Sequence, residues 1–262
     1  MRGVVASTTI GPELEWRLAV AVGALTALAV AASWVGRLGT ALPSARAVAR
    51  AIVQLLVVAL VVTAALEHVW SSLLFVGFMF GVATVTASGR VDARSSIHWI
   101  AASIGAGAVP VLLIVFGLGA APFEPPTIVA ICGIVIGNAM TGFTLMGRRS
   151  LAALRERFGE VEAALSLGFV RRRAMALVVD HDRPEALVPV LDQTRTVGLV
   201  SLPGAFIGVL LGGGSAADAA AAQLIVLVGL VAAQTITVVV GARLIAAGRV
   251  LDHELRDRLP TA

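Results

Sequence analysis

Few groups in this chain could do chemistry, and most of them sit in apolar surroundings. Cys132, Met140 and Met146 share one apolar run, with Met79 on another. Cys132 and Met140 are eight residues apart, a little over two helical turns, which puts them on one face. Soft donors of this kind suit a transition metal, although one donor every two turns makes a sparse site. Asn138 lies near the middle of the same run, and Gln54 is one turn beyond Arg50 at the start of an earlier one. Gln234, Thr235 and Thr237 form a polar belt in the last run, with Gln223 near its far end. A polar group at membrane depth needs a partner or a wet cavity. Gln54, Asn138, Met140 and Gln234 are therefore candidates for a substrate path, and Asn138 can equally bond across a helix pair. In a further run Pro203 and Gly204 follow Ser201 and Leu202. Proline removes a backbone donor, so this helix should be kinked or split, and broken helices commonly border substrate sites. Ser201, Pro203 and Gly204 thus become the leading pore-lining or gating element, and Pro110 offers a second kink.

Bond-breaking chemistry is poorly supported. With 20 basic residues that are all arginine, no lysine is available for a P-loop or a Schiff base. There is no His-Glu-x-x-His and no Gly-x-Ser-x-Gly. Asp180, His181 and Asp182 could hold a metal but read better as an exposed turn before Pro184.

The elements that would carry these groups are seven apolar runs, at 16–34, 47–66, 69–87, 98–117, 127–146, 196–213 and 221–246, each close to the roughly 20 residues that cross a bilayer. The fold class is all-α, a multi-spanning membrane protein forming one domain over 1–262. Trp16 and Trp34 bracket the first run as interfacial anchors, which reads as a retained span. Of the 20 arginines, 18 fall in the loops after runs one, three and five and in the tail. The loops after runs two, four and six carry only Glu67, His68, Glu124 and Asp218, and Arg2 and Arg17 flank the first run. The positive-inside rule then places the N-terminus outside and the C-terminus in the cytosol of a plasma (inner) membrane protein. The high isoelectric point follows from this loop bias, so nucleic acid is not an expected partner.

The one sizeable cytosolic segment is then 147–195. Leu151, Leu154, Phe158, Val161 and Leu165 recur at helical spacing, and Gly168 supplies a C-terminal stop. Such a helix is either a connector lying on the membrane surface or a docking element. Within the spans, small residues recur every four positions at Gly77 and Gly81, at Gly133, Gly137 and Thr141, and at Gly204, Gly208 and Gly212. This spacing lets helices approach closely.

Four stretches carry a resemblance that extends from the second run to the last: Arg50 to Leu55, Gly137 to Met140, Leu165 to Gly168, and Thr196 to Gly204. With these the chain resembles the bacterial iron-export ABC transporter permeases, which include plant aluminium-tolerance permeases. The resemblance implies a transport subunit without catalytic residues, paired as a homodimer with a separate cytosolic P-loop ATPase that binds ATP and magnesium, leaving no cofactor in this chain. It also implies that Glu162, Ala163, Ala164 and Gly168 form the coupling helix, although the wider pattern's downstream Leu-Pro is here Val-Val-Asp at 178–180. Relatives carry a methionine pair after the span-six Leu-Pro-Gly, where this chain has Ala205 and Phe206.

Two other classes compete with this reading. A gradient-driven carrier or channel should bury a titratable relay within its spans, and none is visible. An intramembrane hydrolase needs a base near Ser201, and no histidine lies inside a run apart from His98, at a boundary.

Overall fold

The computed structural model describes residues 12–258; Arg2, read above as a flank of the first span, lies outside them. Among the described residues there is no strand, only an isolated bridge between Val197 and Ser201. The chain divides into two compact units, residues 1–64 and 65–262.

The first unit holds α1 (Pro12–Val35) and most of α2 (Ala41–Ala65). The turn between them uses Gly39 at φ 69°, and Ser33 and Thr40 share a hydroxyl hydrogen bond of 2.9 Å. Both helices are apolar around nearly their whole circumference and almost nothing on them is buried, the pattern of segments solvated by hydrocarbon. An apolar cleft lined by Leu18, Val22, Gly23, Ala45 and Ile52 separates them.

The second unit is built on four long helices, α3 (Val69–Arg90), α4 (Ile97–Gly117), α5 (Pro125–Glu156) and, later in the chain, α10 (Ala216–Ala246). Two prolines open α5, where their missing N–H groups cost nothing. Ser215 and Asp218 open α10 with a reciprocal capping box. Pro110 lies inside α4 without ending it. Gly133 packs on Met79, Gly147 on Val91, and Gly142 on Gln234, so α3, α5 and α10 run in one direction. Gly105 meets Phe80, Gly229 meets Val111, and the Ser103 hydroxyl donates to the Thr237 carbonyl at 2.9 Å. Helix α4 therefore runs the opposite way. Six helices in all, α1 to α5 and α10, are long and apolar enough to span a membrane.

From the end of α5 the chain turns through α6 (Phe158–Ser166) and α7 (Arg171–Asp182), then returns by a 3₁₀ turn (Arg183–Leu187), α8 (Val188–Thr196) and α9 (Gly204–Leu211). A short α11 (His253–Arg258) follows α10. One buried cluster joins Ile100, Phe143 and Met146 of the bundle to Leu154, Val161, Met175, Val178 and Leu255 beyond it. A second lies deeper, around Ile128, Cys132, Val135, Leu230 and Ala233.

Four expectations need correction. The run at 196–213 is not one helix: Val197–Pro203 is non-helical and α9 has eight residues, about 12 Å of helix where a span needs about 30 Å. The segment 147–195 does not end its helical part at Gly168: it continues through α7, the 3₁₀ turn and α8, and Leu187 and Val190 pack against the deeper cluster. The stripe from Leu151 to Leu165 is two helices broken at Arg157, and its inward residue in the last turn is Ala164, with Leu165 exposed. Of the glycines expected at helix contacts, Gly133 meets a neighbouring helix, whereas a β-carbon at Gly77, Gly81, Gly137, Gly204 or Gly208 would meet nothing within 4 Å. The close approaches are at Gly107, against Thr237 and the Ala233 carbonyl, and at Gly241, against Met146, Ser103 and Phe143.

Candidate functional site

The polar groups of α5 and α10 come together. Asn138 donates from Nδ2 to the Ile134 carbonyl one turn back at 2.9 Å, and its Oδ1 accepts from Gln234 Nε2 at 3.2 Å. Gln234 is buried and Asn138 half-buried, so the pair ties two helices with one face of Asn138 still open. Gly142 makes this possible, since a β-carbon there would stand 3.3 Å from Gln234 Cγ. Thr237, one turn on, is fully buried, and its Oγ1 has no hydrogen-bond partner. Met140 is half-buried against both clusters, and Cys132 is enclosed among apolar side chains of the deeper one. No group of three or more His, Cys, Asp or Glu that could hold a metal occurs among the described residues. Asp180 instead pairs with Arg183 at 2.8 Å on the last turn of α7.

The broken return segment has its own geometry. Gly198, at φ 79°, donates its N–H to the Ser201 carbonyl at 2.9 Å, closing a tight loop ahead of Pro203. Pro203 is the N-cap residue of α9 and Gly204 its first residue. Ser201 and Gly204 are exposed and Pro203 half-buried. Val197, Gly198, Leu202, Pro203 and Phe206 enclose a cavity of about 170 Å³ with Gln223 and Leu227 of α10. Gln223 is buried, and its Oε1 lacks a partner. Gln54 lies apart from these groups in the sequence, exposed on α2 of the first unit.

At the other end of the second unit, α6 and α7 form an elbow. Arg157 grips Glu160 with two hydrogen bonds of 2.8 and 2.7 Å. This contact, reinforced by the guanidinium charge, holds the Glu160 carboxyl below the usual range. The helix ends in a Schellman turn: Phe169 N–H reaches the Ala164 carbonyl at 3.0 Å, Gly168 N–H reaches Leu165 at 2.9 Å, and Gly168 takes φ 87°. Val161 and Ala164 face the core, while Glu162 and Ala163 face outward. Leu167 and Val170 stand exposed at the tip, at 79% and 70%. Arg90, Arg148, Arg149 and Arg155 gather at the same end of the bundle, around a polar cleft bounded by Asp92 and Asp252.

Three features escaped sequence reasoning. Helix α7 buries Ala174, Met175, Val178 and Val179, a pattern masked by the three arginines ahead of it and the acids behind. The chain after α10 is strapped down by Val250, Leu251 and Leu255, by the Arg155–Asp252 ion pair at 2.6 Å, and by Arg249 over the Trp99 ring. Helix α8 places Val190 inward and Asp192, Gln193 and Arg195 outward.

The sequence profile described as Uncharacterised protein family (UPF0014) matches residues 16–248. The chain is 36% identical over 224 residues to the UPF0014 membrane protein STAR2 of Oryza sativa subsp. japonica, covering 83% of this chain and 78% of that protein. It is 34% identical over 169 residues to the protein ALUMINUM SENSITIVE 3 of Arabidopsis thaliana, covering 64% and 62%. Over 119 residues it is 34% identical to the probable iron export permease protein FetB of Escherichia coli K12, covering 44% of each. No solved structure matches. A match across nearly the whole length, on a chain of long apolar helices, identifies it as a multi-pass membrane protein of the UPF0014 family.

Proposed function

We propose that this chain is the membrane subunit of an ABC-type exporter of iron or another metal in the plasma membrane, driven by a separate cytosolic ATPase and working as a homodimer. The observation that carries the proposal is the α6–α7 elbow. It is a short helix held rigidly to the end of α5 by Val161 and Ala164, with Glu162 and Ala163 outward and an apolar tip at Leu167 and Val170. A docking helix needs this division between an anchored face and a presented face. The permease name of the Escherichia coli relative supports the same reading, as does the absence of lysine, which leaves ATP and magnesium to the partner. The arginine-bearing ends of α3, α5 and α10 then face the cytosol. Within the second unit Asn138, Met140 and Gln234, together with Ser201, Pro203 and Gly204, flank the substrate path, and Cys132 is an enclosed soft donor; Gln54 is the polar candidate of the first unit.

The test is purification of the full chain from its native membrane in mild detergent. A P-loop ATPase in near-stoichiometric amount is expected. Glu162→Arg changes an outward side chain and Gly168→Pro forbids the φ the turn requires. Both should insert normally and lose most of the ATPase stimulation. Wild-type stimulation in both variants would remove the coupling role, and a chain that purified alone and moved substrate without ATP would establish a self-sufficient carrier.

A further inference from the structure

Helix α8 lies in a part of the sequence whose polarity reads as a cytosolic loop, yet it packs along the bundle, with Val190 buried against it. At its start, Glu185 in the preceding turn pairs with Arg149, just past the apolar part of α5. One and a half turns later Val190 joins the cluster of Ile128, Cys132, Val135, Ile136, Leu230 and Ala233. Beyond the end of α8, Val197 and Gly198 share a cavity with Gln223 and Leu227 of α10. The Asn138–Gln234 bond sets the register of α10 on α5, and in parallel helices Leu227 then stands level with residue 131 of α5. Asp192 and Arg195 fall between the Val190 and Val197 contacts. By the same register the cluster around Val190 falls at or above the level of residue 137 of α5 and the Val197 contacts near the level of residues 127 to 131, so the interval lies in the Pro125 half of the hydrocarbon layer, about 5 to 15 Å below that surface.

The face they occupy is also determined. Leu187, Val190, Thr194 and Val197 follow the spacing of one helical stripe and are buried or half-buried. Asp192, Arg195 and Thr196 occupy the opposite face. The Asp192 and Arg195 side chains are 59% and 74% exposed and pair at 3.4 Å, one turn apart. The hydroxyls of Thr194 and Thr196 return to carbonyls of their own helix at 2.7 and 2.9 Å. A charged pair facing lipid tails below the bilayer surface is strongly disfavoured, and among the described residues of the second unit nothing else covers it.

We propose that the outward face of α8, carrying Asp192, Gln193 and Arg195, lines a water-filled translocation path, and that Asp192 is the group that meets a cationic substrate there. Arg195 is the resident counter-ion that keeps the empty path neutral, and the cation takes its place on the carboxylate. The loop at Val197–Pro203, directly beyond, is the outer end of the same path. The substrate class rests on the transport function proposed above; the depth and hydration of α8 do not.

Two measurements separate these claims. In proteoliposomes of the full chain, spin labels at position 193 (Gln193→Cys), position 228 (Val228→Cys, an exposed apolar site on α10) and position 172 (Arg172→Cys, on α7) are compared for collisions with oxygen and with a water-soluble nickel chelate. Cys132 is buried and leaves the background low. Label 193 is expected to show bilayer depth together with strong chelate access, label 228 depth with oxygen access alone, and label 172 chelate access outside the bilayer. If label 193 behaves like 172, α8 lies outside the membrane; if it behaves like 228, α8 faces lipid. Either result overturns the path. In the reconstituted complex with Fe²⁺ as the probe, Asp192→Asn should lower flux about tenfold or more, with Asp257→Asn on the exposed face of α11 as the matched control at wild-type flux. Equal flux in the two variants, with α8 shown to be wet and deep, would overturn the substrate contact alone. Absence of any ATP-driven flux in wild type would count against the transport function and leave the labelling result standing.

Discussion

Asn138 and Gln234 tie α5 to α10 through one amide hydrogen bond. Gln234 donates to the Asn138 carbonyl oxygen across the α5–α10 contact, and the Asn138 amide donates to the Ile134 carbonyl. Replacing one leaves its partner's amide unpaired in an apolar setting, while replacing both removes the need for the bond. Asn138→Leu and Gln234→Leu should therefore each destabilise by about 1 kcal/mol, and the double variant by less than the sum, with a coupling of about 0.6 to 1.7 kcal/mol as for other hydrogen bonds between membrane helices. Unfolding in mild detergent measures this cycle. Flux is a separate readout: if the open face of Asn138 borders the path proposed above, Asn138→Leu should lower transport in a complex that assembles normally. Normal flux with a measurable coupling would make Asn138 a packing residue.

Among the elements, the strap that follows α10 is the one whose removal is simplest to forecast. Asp252 is buried, accepts from the Leu255 N–H at 2.9 Å as the N-cap of α11, and pairs with Arg155. Asp252→Ala should cost about 1 to 3 kcal/mol, the loss of a cap plus a charge-assisted bond, while Asp257→Ala on the exposed face of α11 should leave thermal unfolding within error of wild type. Equal midpoints for the two would deny the strap a role. This element was invisible in the sequence because its apolar residues, Val250, Leu251 and Leu255, are too few to form a period and are meaningful only against Ile100 and Phe143. The five long helices α1 to α5 and α10 after them were legible, since a run of apolar residues needs no tertiary information to announce itself. The same criterion failed at α8, where Asp192, Gln193 and Arg195 lower the hydropathy of a helix that packs into the bundle. It also misjudged the small residues. Gly77 and Gly137 have the expected spacing but open faces, whereas Gly107 and Gly241 are the ones with a neighbouring helix at contact distance. Spacing alone cannot say which stripe of a helix finds a partner. The elbow of α6 was read well at its end, where Gly168 takes the φ that only glycine adopts without strain. It was misread at its start, because Leu154, Phe158 and Val161 keep helical spacing across the break at Arg157.

At the scale of the molecule, the parallel course of α3, α5 and α10 collects Arg90, Arg148, Arg149 and Arg243 at one end and Glu124 and Asp218 at the other. A bias of this kind orients a membrane protein because arginine is not carried across during insertion. The N-terminal pair follows the same rule by sequence, with Arg37 in the turn between its helices and Arg46 and Arg50 in the first turns of α2. Every functional assignment depends on this orientation, since an ATPase can reach the α6–α7 elbow only from the side that holds ATP. The buried Cys132 is the chain's one cysteine, so single added cysteines report accessibility almost without background. In intact cells a membrane-impermeant maleimide should label Glu67→Cys and Ala217→Cys, and should reach Arg172→Cys only after the membrane is opened. Labelling of Arg172→Cys in intact cells, with the other two protected, would turn the molecule over. The elbow would then face away from any cytosolic ATPase, and the path along α8 would have to be driven by something other than ATP.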